Sequence, residues 1–374
     1  GVKHMATVGV IFSNIHDENI PELSRHRTMA SVPFGGRYRL IDFTLSNFVN
    51  SGITTVGIVT KFNYQSLMDH LGSGKDWDLA RKDGGIILLP PYSDETDAPY
   101  TNRLEALKGI TGFLNHRNEE YVVISDCDGI ARVDIADIMR YHEEKGADIT
   151  MVYHEEDLPT DSNYFMTLTP DEEGRIKGIK INPRSKSKQK SKVYVNIMVL
   201  NREFLINIIQ DAVTRGLTSF GKDILTKNVD TLKIYGYPFG GYYAGIESLQ
   251  TYYAHSMELL DKKVRDELFG ARDIYTKVRD SAPSKYSDDA IVKNSLISDG
   301  CVIEGTVENC ILFRGVKIGK GSVVKNSIIM QDSVVGSGVQ LDSVITDKNV
   351  VIRDRRHLAG CAELPYFIAK GRMV

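Results

Sequence analysis

The sequence has no long apolar run. None of its hydrophobic stretches approaches the roughly 20 residues that span a bilayer, which argues against a membrane-spanning helix. No basic segment leads into an apolar one near the N-terminus, so no secretory signal is visible. An excess of either charge is also lacking. With 46 basic and 49 acidic residues the net charge is −3, which argues against a general nucleic-acid or membrane-surface binder. Cysteine is scarce: Cys127, Cys301, Cys310 and Cys361 form neither a C-x-x-C pair nor a zinc spacing. Reduced thiols in the cytoplasm are therefore expected. A chain of 374 residues exceeds one ordinary core and implies two domains. Residues 1–5 read as an appended segment and are left out of the fold reasoning.

What is present divides into two textures. Residues 6–245 alternate short apolar runs with helical stretches. VGVIF, TVGIVT (55–60), YVVISD (121–126), DITMVYH (148–154) and YVNIMVL (194–200) read as strands. Leu40–Ser51 and Ile135–Lys145 have helical spacing between them. This order predicts an α/β domain, a doubly wound and mostly parallel sheet covered on both faces. Such sheets bind ligands beyond the carboxyl ends of their strands. The loops SNIHDEN (13–19) and SDCDG (125–129) leave from such ends and are expected to wall one cleft. The basic stretch NPRSKSKQKSK (182–192) reads as a mobile surface loop, and residues 246–269 read as one long amphipathic helix. That helix opens a linking region, 246–282.

After Pro283, Ile291, Leu296, Val302, Val307, Ile311, Val316, Val323, Ile328, Val334, Val339, Val344 and Val350 recur at steps of mostly five or six. Gly, Ser, Asn and Asp fill the intervals. A short period with β-branched residues marks a parallel β-helix over 283–374, whose coils bury a narrow core by stacking. A β-sandwich would space its strands more widely.

The run SVPFGGRYRLIDFTLSNFVNSGI, 31–53, resembles the sugar-nucleotide pyrophosphorylases, most closely the glucose-1-phosphate adenylyltransferases. Those proteins open with a strand, a Gly-Gly-x-Gly-x-Arg-Leu loop and then this signature. The resemblance covers nearly the whole chain and implies that the β-helix is left-handed and helps build a tetramer. At the loop position this chain has Asn14-Ile15-His16-Asp17-Glu18-Asn19-Ile20. Glycines there let backbone N–H groups approach phosphate oxygens, and the arginine adds charge-assisted bonds. Both are absent, and Asp17 and Glu18 would oppose a triphosphate; they also read as caps of the helix that Pro21 begins, a role that would not restore the site.

The implied reaction is nucleotidyl transfer, with magnesium held by carboxylates. Asp128, after YVVI, falls at the family's catalytic aspartate, and Asp223 in Phe220-Gly221-Lys222-Asp223 at another metal-ligand position. Other family positions are altered. Met29 replaces a phosphate-directed lysine, Asn102-Arg103-Leu104-Glu105-Ala106 stands at the base-binding wall, and Ile181-Asn182-Pro183 replaces a Glu-Lys-Pro. Pro33–Arg39 and Ile41-Asp42-Phe43 keep the signature, which packing explains for most of its length, Gly35-Gly36 making a turn and Asp42 capping a helix.

Arg25, His26, Arg27, Arg37 and Arg39 make a basic concentration, and Arg353, Arg355, Arg356, His357, Lys370 and Arg372 a second. The family binds sugar-phosphate or phosphate effectors between its domains, so convergence of the two groups is a candidate effector site; a subunit contact or a solvated face are the alternatives. The losses together resemble the regulatory, non-catalytic subunits that some bacteria pair with a catalytic adenylyltransferase in glycogen synthesis. That resemblance implies a heterotetramer with the catalytic chain, or a homo-oligomer when alone. It implies no cofactor of the chain's own, with Mg2+ needed by the partner. Two rivals remain: an active adenylyltransferase with a rearranged loop, and a β-helix acyltransferase, for which His357, beyond the coils, is the only nearby histidine.

Overall fold

A computed structural model describes residues 6–90, 102–160, 164–184 and 189–374. Residues 1–5 and residues 185–188 of the basic insertion lie outside these. The N-terminal sheet is built from β1 (Thr7–Phe12), β2 (Thr55–Val59), β3 (Gly85–Leu89), β4 (Tyr121–Asp126), β5 (Ile149–Glu156), β6 (Met166–Pro170), β7 (Ile176–Ile181), β8 (Ser191–Asn201) and β9 (Ile234–Pro238). Its order is β7-β6-β8-β4-β1-β2-β3, with β5 branching from the long β8 and β9 pairing with β5. Around β1 all neighbours are parallel: Val10 pairs with Gly57 on one side and Ile124 on the other. Five of the six residues of β1 are buried, as a central parallel strand requires.

Beyond β4 the sheet changes character. β8 runs antiparallel to both β4 and β5, and β6 and β7 form an antiparallel hairpin. The reason is local: among the described residues no helix separates β6, β7 and β8, and strands joined without a crossover pair antiparallel. The parallel half is thus the part where strands and helices alternate.

The helix Ile135–Lys145 has the expected bounds, fixed by Asp134 accepting from Asp137 N and by Gly146 in a left-handed conformation. The start of the helix Leu40–Asn50 is fixed by Asp42 in its first turn, whose Oδ2 accepts from Arg39 N at 2.9 Å. It lies so close to β1 that a Cβ on Gly9 would sit 2.6 Å from the Phe48 ring. The predicted single helix after Ile246 is instead two, Leu249–Glu258 and Lys262–Phe269. Asp261 restarts the second by accepting from Lys263 N at 2.8 Å, and the break lets Tyr252, Tyr253 and Leu268 enter one core.

The C-terminal region is a left-handed parallel β-helix of three five-stranded sheets. Ile303, Ile318, Val335 and Ile352 stack in register through one of them. The period is as expected, but its phase slips by one in places: Ile303, Val324 and Val335 face inward, whereas Val302, Val323 and Val334 are only half-buried. At one corner Asn294, Asn309 and Asn326 take positive φ and form a side-chain ladder that ends on Asp342. Coils continue to Tyr366–Ile368, so His357 is not beyond them. It sits exposed on the last coil, paired with Gln340.

The third sheet turns Ile311, Ile328 and Ile345 outward, against Phe34, Tyr252, Tyr253 and Leu259. This contact explains the intact PFGG segment. Tyr252 Oη donates to Pro33 O at 2.6 Å, and Ser298 Oγ to Gly36 O at 2.9 Å. Gly36 has φ +88°, and a Cβ there would lie 2.7 Å from Ser298 Oγ. Arg27, buried on the N-terminal side, completes the joint through a two-pronged ion pair with Asp347 of the β-helix.

Candidate functional site

The loop after β1 walls a cleft, and the end of β4 lies behind it, joined to it through His16, because β1 and β4 are neighbours. The cleft encloses about 290 Å3 and is lined by Glu18, Asn19, Asn102, Arg103, Tyr164 and Phe220 among others. Asp126 ends β4 and Asp128 stands two residues on, in the loop after it; both reach His16, which lines the cleft. His16 Nε2 donates to Asp126 Oδ2 at 2.6 Å and lies 3.5 Å from Asp128 Oδ2. Arg103 donates to the same Asp126 oxygen and stacks 4.9 Å over the Phe12 ring. Asn196 Nδ2 donates to Asp128 Oδ2 at 2.9 Å. A break in the β8 register, with Asn196 at φ 60°, aims that amide.

The electrostatics follow from burial. Burial alone would lower the His16 pKa, but Asp128 and Asp126 together raise it to about 9. Burial and the neighbouring Asp126 charge raise Asp128. Burial would raise Asp126 too, yet Arg103 and His16 hold it below the usual carboxylate range.

The other loop residues are turned into the protein. Asn14 is buried, accepting from Ser13 Oγ and donating to Phe62 O. Asp17 does not cap the short helix Pro21–Ser24, which begins at Ile20 without a side-chain bond. Its Oδ1 accepts from Met29 N at 2.6 Å, and burial lifts its pKa to about 7 in spite of that bond. Glu18 is therefore the loop carboxylate that lines the cleft, and the opposition to phosphate comes from it alone.

Asp223 does not join Asp126 and Asp128. Its Oδ2 accepts from Ser219 N at 3.1 Å and its Oδ1 pairs with Lys227 at 2.7 Å, so it acts as a cap. His16, Asp126 and Asp128 are the group among the described residues whose donor atoms approach closely enough to share a cation. The altered family positions are also built in. Met29 is 1% exposed in the core. Asn102 caps the helix Arg103–Gly109 by accepting from Glu105 N. Asn182 accepts from Phe165 N at 2.8 Å.

The two basic groups do not converge. Arg25 lines a separate cavity beside Lys61, His26 is exposed, and Arg27 is spent on Asp347. Arg355 and Arg356 stand exposed on the last coil. Arg37 and Arg39 instead meet Lys277, Arg279, Arg314 and Lys348 around a cavity of about 70 Å3 between the two domains. Arg39 is held there by Ser66, donating to its carbonyl and hydroxyl at 2.8 Å each. The four added cations come from distant segments, and no spacing in the sequence joins them. Asp126 was within reach of sequence reasoning, as the last residue of a strand that ends two residues before Asp128. Asn196 depends on an irregularity of β8 that its sequence does not announce.

An α/β sheet with its cleft at the strand ends, joined to a β-helix, defines a nucleotidyl-transfer scaffold. Residues 19–262 match the family described as nucleotidyl transferase and residues 282–360 the GlmU-like, C-terminal hexapeptide family. The chain belongs to the nucleotidyl transferase family. It is 34% identical over 365 residues to the glycogen biosynthesis protein GlgD of Bacillus subtilis, across 97% of this chain and 96% of that one. It is likewise 34% identical over 351 residues to a glucose-1-phosphate adenylyltransferase of Fervidobacterium nodosum, across 93% and 84%. An adenylyltransferase of Thermosipho africanus is 36% identical over 325 residues, across 85% and 77%.

Proposed function

We propose that this chain is a non-catalytic, regulatory subunit of a glucose-1-phosphate adenylyltransferase in glycogen synthesis. One observation carries the reading. The loop that should cradle a triphosphate has spent its side chains inside the protein: Asn14 on Phe62, His16 on Asp126 and Asp17 on Met29. No glycine or arginine there offers a donor to phosphate. The likeness to GlgD and to adenylyltransferases supports the pathway. The intact joint between sheet and β-helix supports assembly with a catalytic chain as a heterotetramer. A subunit can shift its partner only by binding one of the partner's states better than another.

Pyrophosphate release from ATP, Mg2+ and glucose 1-phosphate tests this, measured for this chain, for the catalytic chain and for the two mixed. The expected result is no turnover by this chain alone, with co-purification and raised activity or altered effector response in the mixture. Robust turnover alone, or no effect on a partner that also fails to co-purify, removes the reading.

The interdomain cation cluster supports a phosphate or sugar-phosphate effector. Lys348 adds a pH dependence. Burial, with Arg39 and Arg27 near it, lowers its pKa to about 7. Arg39 itself is lowered by burial only to about 10, and stays protonated at neutral pH. His70, the lining imidazole, is also lowered by burial and bonds Asp42 at 2.6 Å. A bound anion raises the Lys348 pKa, so binding takes up a proton once the free ammonium has titrated. Affinity is full below pH 7 and falls as pH rises through it, by at most about tenfold per pH unit for one proton. Sulfate, dianionic throughout this range, is the suitable probe in calorimetry. Lys348→Met should flatten the profile, and a profile unchanged by that substitution would show that another group titrates.

A further inference from the structure

Two carboxylates at the end of β4, Asp126 on the strand and Asp128 in the loop after it, need positive charge between them. In nucleotidyl transfer a divalent cation supplies it. The residues of this cleft do not fit such an ion. The His16 ring lies between the carboxylates, 2.6 Å from Asp126 Oδ2 and 3.5 Å from Asp128 Oδ2. Imidazole is a poor ligand for magnesium, which favours oxygen donors. Arg103 donates to the same Asp126 oxygen and is held there by the Phe12 ring. A dication about 4 Å from a guanidinium is repelled by roughly 8 kcal/mol at an effective dielectric near 20. Asn196 takes up Asp128 Oδ2 from the far side. Asp126 Oδ1 is buried without a hydrogen bond, but so is Arg103 Nη1, so this pair leaves over one acceptor and one donor, not a net negative charge.

We propose that His16 and Arg103 stand in for the catalytic cation. They tie the loop after β1 and the helix Arg103–Gly109 to the two carboxylates, and the cleft keeps its shape without metal. The idea rests on the non-catalytic reading and gives it a mechanism: the loop that lost its phosphate donors supplies the side chain that closes the metal position. Asp126 is central to it, since it accepts from both replacements at once.

Mn2+ is the probe, with the free ion read by electron paramagnetic resonance on the full chain. The wild type is expected to leave millimolar Mn2+ free. His16→Ala with Arg103→Met should gain a site at least tenfold tighter than anything the wild type shows, and adding Asp128→Asn to that pair should lose it again. Thermal unfolding gives a second readout: Mn2+ raises the Tm of the double variant and leaves that of the wild type unchanged. His16→Asn with Arg103→Gln serves if the first pair does not fold. Wild-type Mn2+ binding that Asp128→Asn abolishes overturns the proposal. So does failure of both double variants to gain a site, or binding in them weaker than in the wild type, which would make His16 a ligand. These outcomes separate from the pairing assay. A chain that binds Mn2+ through Asp128, is silent alone and still raises its partner's activity leaves the regulatory reading standing. A chain that turns over alone removes that reading whatever the metal result.

Discussion

Replacing Arg27 by alanine is expected to lower the unfolding free energy by about 3–5 kcal/mol, the range for breaking a buried ion pair by removing one partner. Arg27 Nη2 lies 2.7 Å from Asp347 Oδ1 and Nη1 lies 3.0 Å from Oδ2. Both side chains are nearly inaccessible, at 3% and 5%. The loss does not come from the attraction alone. It comes from leaving Asp347 in a place that water does not reach, with only the Lys348 backbone N–H at 2.6 Å still donating to it. Asp347→Ala should do comparable damage for the opposite reason, by stranding a guanidinium close to Arg39 and Lys348, whose pKa values already register its charge. The double change Arg27→Met with Asp347→Leu should recover most of the loss, since an apolar pair of similar volume often matches a buried ion pair. Urea unfolding of the three variants measures this. Single-variant losses below about 1 kcal/mol would mean that water enters the joint. Because this pair joins the α/β domain to the β-helix, the single variants should also uncouple the two unfolding transitions.

The same pair shows what the sequence could and could not disclose. Arg27 stood out in it as part of a basic run, but a run of cations says nothing about which of them is buried. Asp347 lies 320 residues away on a β-helix coil, and only the stacking of the third sheet on Tyr252 and Tyr253 brings it close. Local signals fared better. The helix Ile135–Lys145 was legible to the residue because its stops, Asp134 and Gly146, act within one turn. The β-helix was legible in its period, since each coil repeats the same corner chemistry. Its phase slipped where two β-branched residues stand side by side, as at Val334 and Val335, because either one satisfies the spacing and only the pleat selects between them. The antiparallel half of the sheet was less legible. Its hairpin strands β6 and β7 are polar on their open face and carry no continuous apolar run. At the site, the sequence gives the missing phosphate loop plainly, but not the use made of its replacements. That His16 reaches Asp126 depends on β1 and β4 being neighbours, a fact of topology.

Reverting single positions toward the catalytic pattern is expected to destabilise this chain without activating it. Met29 stands where the family resemblance calls for a phosphate-directed lysine, yet it is 1% exposed among Ile20, Leu23, Val32 and Phe34. Met29→Lys buries an ammonium with no partner in that cluster, which costs several kcal/mol. A glycine-arginine loop grafted across Asn14–Ile20 restores backbone donors but removes two anchors, the His16 bond to Asp126 and the Asp17 bond to Met29 N. Each well-placed oxyanion donor or cation is worth a factor on the order of 100 to 1,000 in rate. Losses at the loop, at Met29 and at Asn182 therefore multiply to about 10^6 or more, and restoring one leaves a deficit of about 10^4. The graft should regain measurable ATP binding in calorimetry while pyrophosphate release stays at the wild-type background. A rise of 100-fold or more from either single reversion would show that the losses are not independent, and that one missing contact had held the rest of a working site inactive. On the non-catalytic reading the expected outcome is the reverse, because these positions serve the fold. Met29 fills the core, Asp17 holds its backbone, and His16 closes the carboxylates, so a gain of catalysis must replace three structural contacts before it adds a chemical one.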